Sequence, residues 1–148
     1  MSKINAEVVK RVLEDAHLAR PIGWSIGVFQ QNIRYEVFIN KINPILENFQ
    51  GQEAVEEYLS LVQASYQILE PDMRKLVAKG AEVMVYGSEL ARLTLSGQLV
   101  RAEWAASFQF KANLIEKISM SVYRWNILPA SSSVAISAQL VDFGVDVV

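Results

Sequence analysis

An alternation of apolar and polar side chains over residues 82–123 is the feature that most constrains the fold of this chain. The alternation falls into three segments, 82–97, 98–110 and 114–123, joined by short turn-forming links. Because successive side chains of a strand point to opposite faces, each segment has one apolar face and one polar or mixed face. The pattern predicts three long antiparallel strands in a meander, with one face of the sheet buried.

Helices that cover the apolar face of this sheet must come from the N-terminal half of the chain. Apolar residues at helical spacing predict an amphipathic helix over 4–18, with Asn5 as its N-cap. A short second helix is predicted over 22–30, opened by Pro21, and a third over 52–66.

Two further strands are predicted over 33–39 and 68–78, while 40–50 contains Pro44 and is interpreted as a loop. The Val-rich segment 134–148 is typical of an edge strand, an arm exchanged with a partner, or a lid. The sequence therefore predicts helices followed by a long meander.

The length of 148 residues and the hydrophobic content of 51% indicate one domain over 1–148, with a core of about 5–125 and a tail over 129–148. Fourteen Lys and Arg against sixteen Asp and Glu give a net charge of -2 without basic runs, so neither nucleic acid nor an anionic membrane is an expected partner. No apolar run reaches the length of a signal peptide core or a membrane span, and a cytoplasmic location is expected.

Several kinds of site are excluded or unsupported by residue types. The chain has no cysteine and one histidine, which excludes disulfides and thiolate nucleophiles and leaves no set of transition-metal ligands. No phosphate-binding loop, dinucleotide fingerprint or serine-hydrolase motif occurs. Neither a metal nor a cofactor is therefore predicted.

Four short segments resemble the SnoaL-like, or nuclear transport factor 2-like, superfamily. They are GQEAV at 51–55, LTLSGQ at 93–98, WAASFQF at 104–110 and NLI at 113–115. The resemblance covers about 5–125. It implies an α+β fold in which a cone-shaped, curved antiparallel sheet wraps around N-terminal helices. It also implies a pocket inside the cone and, often, a homodimer formed through the outer face of the sheet.

The resemblance implies that the apolar faces of the strands line a pocket for an apolar small molecule. The residues expected to bind it are Trp24, Ala91, Ala102, Trp104, Phe108, Ile118, Met120 and Val122. Small residues beside large aromatic ones leave room for a ligand. The alternative is that these side chains simply fill a dry core.

Glu89 is the one charged residue on the apolar face of its predicted strand. A carboxylate held there without a paired cation would have its pKa raised, by roughly 3 to 5 units if fully buried, and could act as a general acid or base. Alternatively, Glu89 lies at the rim or in a bulge beside Gly87 and faces water, or it pairs with Arg92 or another arginine.

The catalytic residues of related enzymes have few counterparts here. The Arg-x-Asp of the epoxide hydrolases corresponds to Gly87, Ser88 and Glu89, and their second acid falls on Met120. An Asp common at the end of the last strand of SnoaL-like chains aligns with Tyr123. Glu89 is the only matched acid, and alone it supports a proton transfer but no defined reaction.

Two other residues match a catalytic position only in part. Isomerases of the family place a base carboxylate near the first strand, and Glu36 is the only acidic residue in that predicted strand of this chain. His17 could be a base, as in scytalone dehydratases, or a residue placed favourably at the C-terminal end of a helix.

Two functions therefore remain open. One is a small-molecule binding protein without catalysis; the other is an isomerase, cyclase or dehydratase that acts on a polyketide- or steroid-like substrate through Glu89. The polar and mixed outer face of the sheet predicts either a solvated surface or a homodimer interface. A protein-interaction module that uses the tail is the third alternative.

Overall fold

The computed structural model describes residues 2–17, 27–39 and 45–129 of the chain. The elements are α1 Ser2–His17, β1 Phe29–Ile39, β2 Ile45–Gln50, α2 Gln52–Ser65, β3 Tyr66–Lys79, β4 Glu82–Leu93, β5 Leu99–Lys111 and β6 Leu114–Ile127. The six strands form one sheet in the order β2-β1-β6-β5-β4-β3. Only β1 and β6 pair in parallel, and all other neighbours are antiparallel.

The predicted meander is confirmed as β4, β5 and β6, and the α+β fold with a curved sheet is confirmed with it. One face of the sheet is concave and carries the apolar set. Val83 and Val85 of β4 lie beside Ala106 and Phe108 of β5, and all four are buried. The alternation in the sequence therefore identified the buried face correctly.

The first helix covers part of this concave face. Val9 and Leu13 of α1 are buried in the same core cluster as Phe108, and α1 contacts β3 and β4. The predicted N-cap is wrong, because α1 begins at Ser2 and Asn5 lies inside the helix, where it is 4% exposed.

The second described helix, α2, confirms the prediction for 52–66 to within one residue. Gly51 precedes it with a φ of 94°, a backbone conformation that side chains with a Cβ rarely adopt. Val55 is fully buried against the core. Neither α1 nor α2 is long and apolar enough to cross a membrane.

Two sequence predictions are wrong between the helices. The predicted loop over 40–50 contains β2, which pairs with β1 from Arg34–Gln50 to Ile39–Ile45. The helix predicted over 22–30 does not extend to residue 30, because Phe29 and Gln30 belong to β1. The rest of that segment up to residue 26, including Trp24, and the tail from residue 130 onwards lie outside the described residues.

Candidate functional site

Glu89 lies on the concave face of β4, directly opposite Ala102 of β5. Its neighbours on the same face of β4 are Gly87 and Ala91. The predicted position of Glu89 on the apolar face is therefore confirmed. The residue is largely buried but keeps some exposure to solvent.

Two neutral donors hold the carboxylate of Glu89. Tyr66 Oη donates to Glu89 Oε2 at 2.5 Å, and Trp104 Nε1 donates to Glu89 Oε1 at 3.1 Å. Within the described ranges Glu89 forms no ion pair, and Arg92 lies on the opposite face of β4. The carboxylate is thus stabilised by hydrogen bonds alone, without a compensating cation.

Burial raises the pKa of Glu89 from its ordinary value, while the hydrogen bonds from Tyr66 and Trp104 oppose that rise. Burial, the nearby charge of Glu89 and the hydrogen bond to it also raise the pKa of Tyr66. Tyr66 therefore stays a neutral phenol, and Glu89 is the group of the pair that can change its protonation state.

The hydrogen-bonding partners also determine where a proton on Glu89 would reside. An indole N–H can only donate, so Oε1 must accept from Trp104 in both protonation states. A phenol can either donate or accept, so a proton on Oε2 can be donated to Tyr66 Oη. The hydroxyl hydrogen of Tyr66 is then released to bond another acceptor. Glu89 and Tyr66 together can therefore pass a proton.

An aromatic pair completes this group. The rings of Tyr66 and Trp125 are stacked, with centroids 5.7 Å apart and planes at 21°. Tyr66 comes from β3 and Trp125 from β6, which are three strand spacings apart, about 14 Å along the sheet. The rings can meet only above the concave face of β4 and β5, where Ala91 and Ala102 leave room. We call Tyr66, Glu89, Trp104 and Trp125 the Glu89 site.

Local contacts place Tyr66 at this position. The backbone N–H of Thr94 donates to the carbonyl of Ser65 at 3.1 Å, and Thr94 Oγ1 donates to the carbonyl of Ala64 at 2.9 Å. These bonds attach the last turn of α2 to the end of β4. Tyr66 follows as the first residue of β3, so its ring projects towards Glu89.

The predicted ligand-binding residues share the concave face but not one environment. Ala91 and Ala102 are buried beside Glu89. Trp104, Phe108 and Ile118 belong to the core cluster that includes α1, and Met120 and Val122 pack partly buried against it. Trp24 lies outside the described residues. The ligand-binding residues predicted from the sequence therefore include some that surround Glu89 and others that belong to the packed core.

Two members of the site were missed by the sequence analysis. Tyr66 was assigned to the end of the predicted helix over 52–66. Its contact with Glu89 was missed because it depends on the bond between Thr94 and the end of α2, two segments that are distant in sequence. Trp125 was left out because simple alternation places it with Tyr123 on the outer face. A bulge in β6 between the partners of Glu103 and Trp104 reverses this alternation.

The remaining candidates lie elsewhere. Glu36 points to the outer face, where its carboxylate pairs with Lys117 Nζ at 3.2 Å. His17 is the last residue of α1 and half-buried; burial lowers its pKa, and the charge of Glu14 opposes this. Neither side chain is a partner of Glu89 in the described residues.

Comparison with solved structures confirms the fold. The chain is similar to a nuclear transport factor 2-like protein from Burkholderia xenovorans, with a TM-score of 0.67, 19% identity and coverage of 82% of this chain and 91% of that one. It is also similar to an LEH-like epoxide hydrolase from M. tuberculosis, with a TM-score of 0.65, 12% identity and coverage of 82% of this chain and 84% of that one.

A third similar structure is a protein assigned as a SnoaL-like polyketide cyclase from Jannaschia sp., with a TM-score of 0.67, 14% identity and coverage of 82% of this chain and 87% of that one. No protein-family model matches the sequence, and no curated protein matches it significantly. At these identities the likeness establishes the fold alone. The protein therefore has the α+β, nuclear transport factor 2-like fold that the resemblance implied.

Proposed function

We propose that this protein binds an apolar small molecule that carries a hydrogen-bonding group, and that it does so at the Glu89 site. The observation that carries the proposal is the carboxylate of Glu89, which lies among apolar side chains and is held by two neutral donors without a cation. Aromatic and small apolar residues around a few polar groups are typical of ligand sites.

The energetic cost of this arrangement supports a functional role. Removing a carboxylate from water is unfavourable unless it is paired, and an apolar residue of similar size would fit the concave face at lower cost. A titratable group with a raised pKa in such surroundings is a candidate functional residue. We infer that Glu89 and Tyr66 bond the polar group of the ligand, while Trp104 and Trp125 contact its apolar body.

Proton transfer is the second candidate function, and one observation favours it. Tyr66 Oη is hydrogen-bonded to Glu89 Oε2, which is the carboxylate oxygen that can be protonated. An isomerase, cyclase or dehydratase acting on a polyketide- or steroid-like compound could use this pair as its acid and base. The binding function needs the hydrogen bonds only, whereas the catalytic function also needs the change of protonation.

A homodimer through the outer face of the sheet is part of the proposal. One pair of charged groups there, Glu103 and Arg124, is bonded within the chain at 2.9 Å, so a second copy would not bury these two without a partner. Phe38 and Leu46 lie opposite each other on the same face and are 37% and 63% exposed. The cytoplasmic location and the single domain over 1–148 stay predictions of the sequence.

Fluorescence of the tryptophans tests the binding function. We expect apolar ketones and phenols of polycyclic shape to change the emission of the wild type at saturable concentrations. Glu89→Gln and Tyr66→Phe should weaken binding, because each removes a polar group that faces the ligand. Glu82→Gln is the matched control, since Glu82 lies on the outer face of the same strand and bonds Ser107 at 2.6 Å.

Turnover separates the two functions. If ligands bind and are converted by the wild type but not by Glu89→Gln, the protein is a proton-transfer enzyme. If they bind unchanged, it is a binding protein. Binding that is equal in the wild type, Glu89→Gln and Tyr66→Phe would contradict both functions at this site.

A further inference from the structure

A second surface, distant from Glu89 in sequence, is built from β2 and α2. A groove of about 490 Å³ runs between them, with apolar side chains along its floor. Phe49 and Tyr58 stack there with centroids 4.2 Å apart, and Leu61 beside them is 62% exposed. A neighbouring groove of about 660 Å³ is lined by two of the same residues, Ala54 and Glu57, and we call the two adjoining grooves together the depression.

The charged residues that line this depression are all acidic. Residues 42–73 contain six of the sixteen acidic residues of the chain and none of its fourteen Lys and Arg. Three of the six line the grooves: Glu47, Glu53 and Glu57. None of these three forms an ion pair within the described ranges. Electrostatic complementarity therefore favours a basic partner.

The two edges of the sheet are protected to different degrees. The edge strand β3 contains Pro71, two bulges and the basic residues Arg74, Lys75 and Lys79. Proline, bulges and lysine are features by which natural sheets prevent pairing with another chain. The opposite edge strand, β2, has none of them, and its register with β1 is continuous. Among the described strands, β2 is paired on one side only.

We propose that β2 and the adjoining grooves bind a basic, extended segment of a partner protein, which adds to the sheet as a further strand beside β2. Backbone hydrogen bonds to β2 would supply part of the affinity. Alternate side chains of the added strand point to one face, so apolar ones contact Phe49, Tyr58 and Leu61. The Lys or Arg residues of the segment lie on the same face, on either side of the apolar ones, because Glu47 shares the face of Phe49 on β2 and lines the groove together with Glu57.

The partner is another protein rather than the tail of this chain, for a reason of charge. Residues 130–148 carry Asp142 and Asp146 and no Lys or Arg. That segment would bring further negative charge to grooves whose charged lining residues are all acidic, which is unfavourable. A basic segment reduces the repulsion among the glutamates.

The probe is a fluorescently labelled peptide of seven residues, Lys-Thr-Leu-Thr-Leu-Thr-Lys, called the Lys-Leu peptide, in which the Lys and Leu side chains all point to one face of a strand. We expect the full-length protein to bind it, with an affinity that falls as the salt concentration rises. The same peptide with Glu in place of Lys should not bind. A third peptide, methylated on two consecutive central backbone nitrogens, keeps the charges but cannot form strand hydrogen bonds at its centre; it should bind at least about tenfold more weakly.

Three variants locate the surface. Glu47→Lys should weaken binding of the Lys-Leu peptide about fivefold through like-charge repulsion. Leu61→Ser should weaken it about tenfold by removing apolar contact area; because Leu61 is exposed, the fold should be retained. Glu7→Lys on α1 makes the same change of charge at an exposed position that pairs with Lys10 of the same helix, and it should have little effect.

Amide hydrogen exchange provides the direct readout. We expect the amides of β2 to gain protection when the Lys-Leu peptide is added, and those of β3 to stay unchanged. The proposal is overturned if the Glu-Leu or the methylated peptide binds equally well, if Glu7→Lys and Glu47→Lys have the same effect, or if β2 gains no protection. It is also overturned if self-association that Leu61→Ser abolishes shows a second copy to be the occupant.

Discussion

Gly87 lies opposite Trp104 in the register of β4 and β5, and the indole ring occupies the space where a side chain at Gly87 would stand. A Cβ added at Gly87 would lie 2.6 Å from Trp104 Cζ2 and 2.9 Å from the carbonyl oxygen of Asp72. The absence of a side chain at Gly87 thus leaves space for the ring, and its Nε1 reaches Glu89.

Gly87→Ala should displace the indole and break its hydrogen bond to Glu89. We expect a loss of about 1 to 3 kcal/mol in the free energy of unfolding, the usual cost of overpacking. Urea unfolding followed by tryptophan emission measures both effects. Gly27→Ala is the control, because no atom lies within 4 Å of the added Cβ. An equal decrease in the free energy of unfolding in Gly87→Ala and Gly27→Ala would contradict the close packing of Trp104 against Gly87.

Trp104→Phe keeps an aromatic ring at this position but removes the one donor to Glu89 Oε1 found among the described residues. Because that donor stabilises the ionised carboxylate, its loss should raise the pKa of Glu89 further. Carboxyl carbon NMR of the side chain measures the pKa directly. A pKa that stays unchanged or falls would show that the hydrogen bond does not act on the carboxylate.

Tyr66→Phe removes the donor to Glu89 Oε2 while keeping a ring that can stack on Trp125. We expect its effect on unfolding to depend on Glu89, because the two groups bond each other. A double-mutant cycle with Glu89→Gln should give a coupling energy of about 0.5 to 3 kcal/mol. The same cycle with Glu82→Gln should give a value near zero, and a coupling as large there would contradict the pairing.

The stability of the protein should depend on pH through Glu89. Burial raises its pKa in the folded state above the ordinary value of 4.5, so the folded protein holds this proton more tightly than the unfolded chain does. The stabilisation is complete below the unfolded pKa and is lost as the pH rises through the folded one. Relative to the wild type, Glu89→Gln should therefore become more stable as the pH rises from about 4 to about 8.

Urea unfolding at a series of pH values measures this difference between Glu89→Gln and the wild type. For the control, Glu82→Gln, the free energy of unfolding relative to the wild type should not rise with pH in this way. A relative stability of Glu89→Gln that decreases towards neutral pH would contradict the raised pKa.

The strands of the meander were predictable because alternation over many residues leaves one face to be buried. Val83, Val85 and Ala91 of β4 follow this rule, and so does the unusual position of Glu89. The strand β2 was not predictable in the same way. It has six residues, follows Pro44 closely and is defined by its pairing with β1, which depends on the tertiary fold.

The Glu89 site was predictable only in part, for two physical reasons. The alternation of side chains assigns each residue to a face of the sheet only as far as the next bulge, because the extra residue reverses the alternation. Trp125 follows such a bulge in β6. The partner of Glu89 Oε2, Tyr66, lies 23 positions before it in the sequence, at a junction fixed by Thr94. Such contacts are set by the assembled sheet rather than by local sequence.

Native mass spectrometry of the freshly purified protein, before and after incubation with polycyclic ketones and phenols, tests the central claim most directly. We expect the wild type and Glu82→Gln to hold one small molecule per chain, and Glu89→Gln and Tyr66→Phe to lose it at lower collision energy. The same spectra count the subunits. A wild type that holds no molecule under any of these conditions, or adducts equally stable in all four proteins, would contradict ligand binding at the Glu89 site.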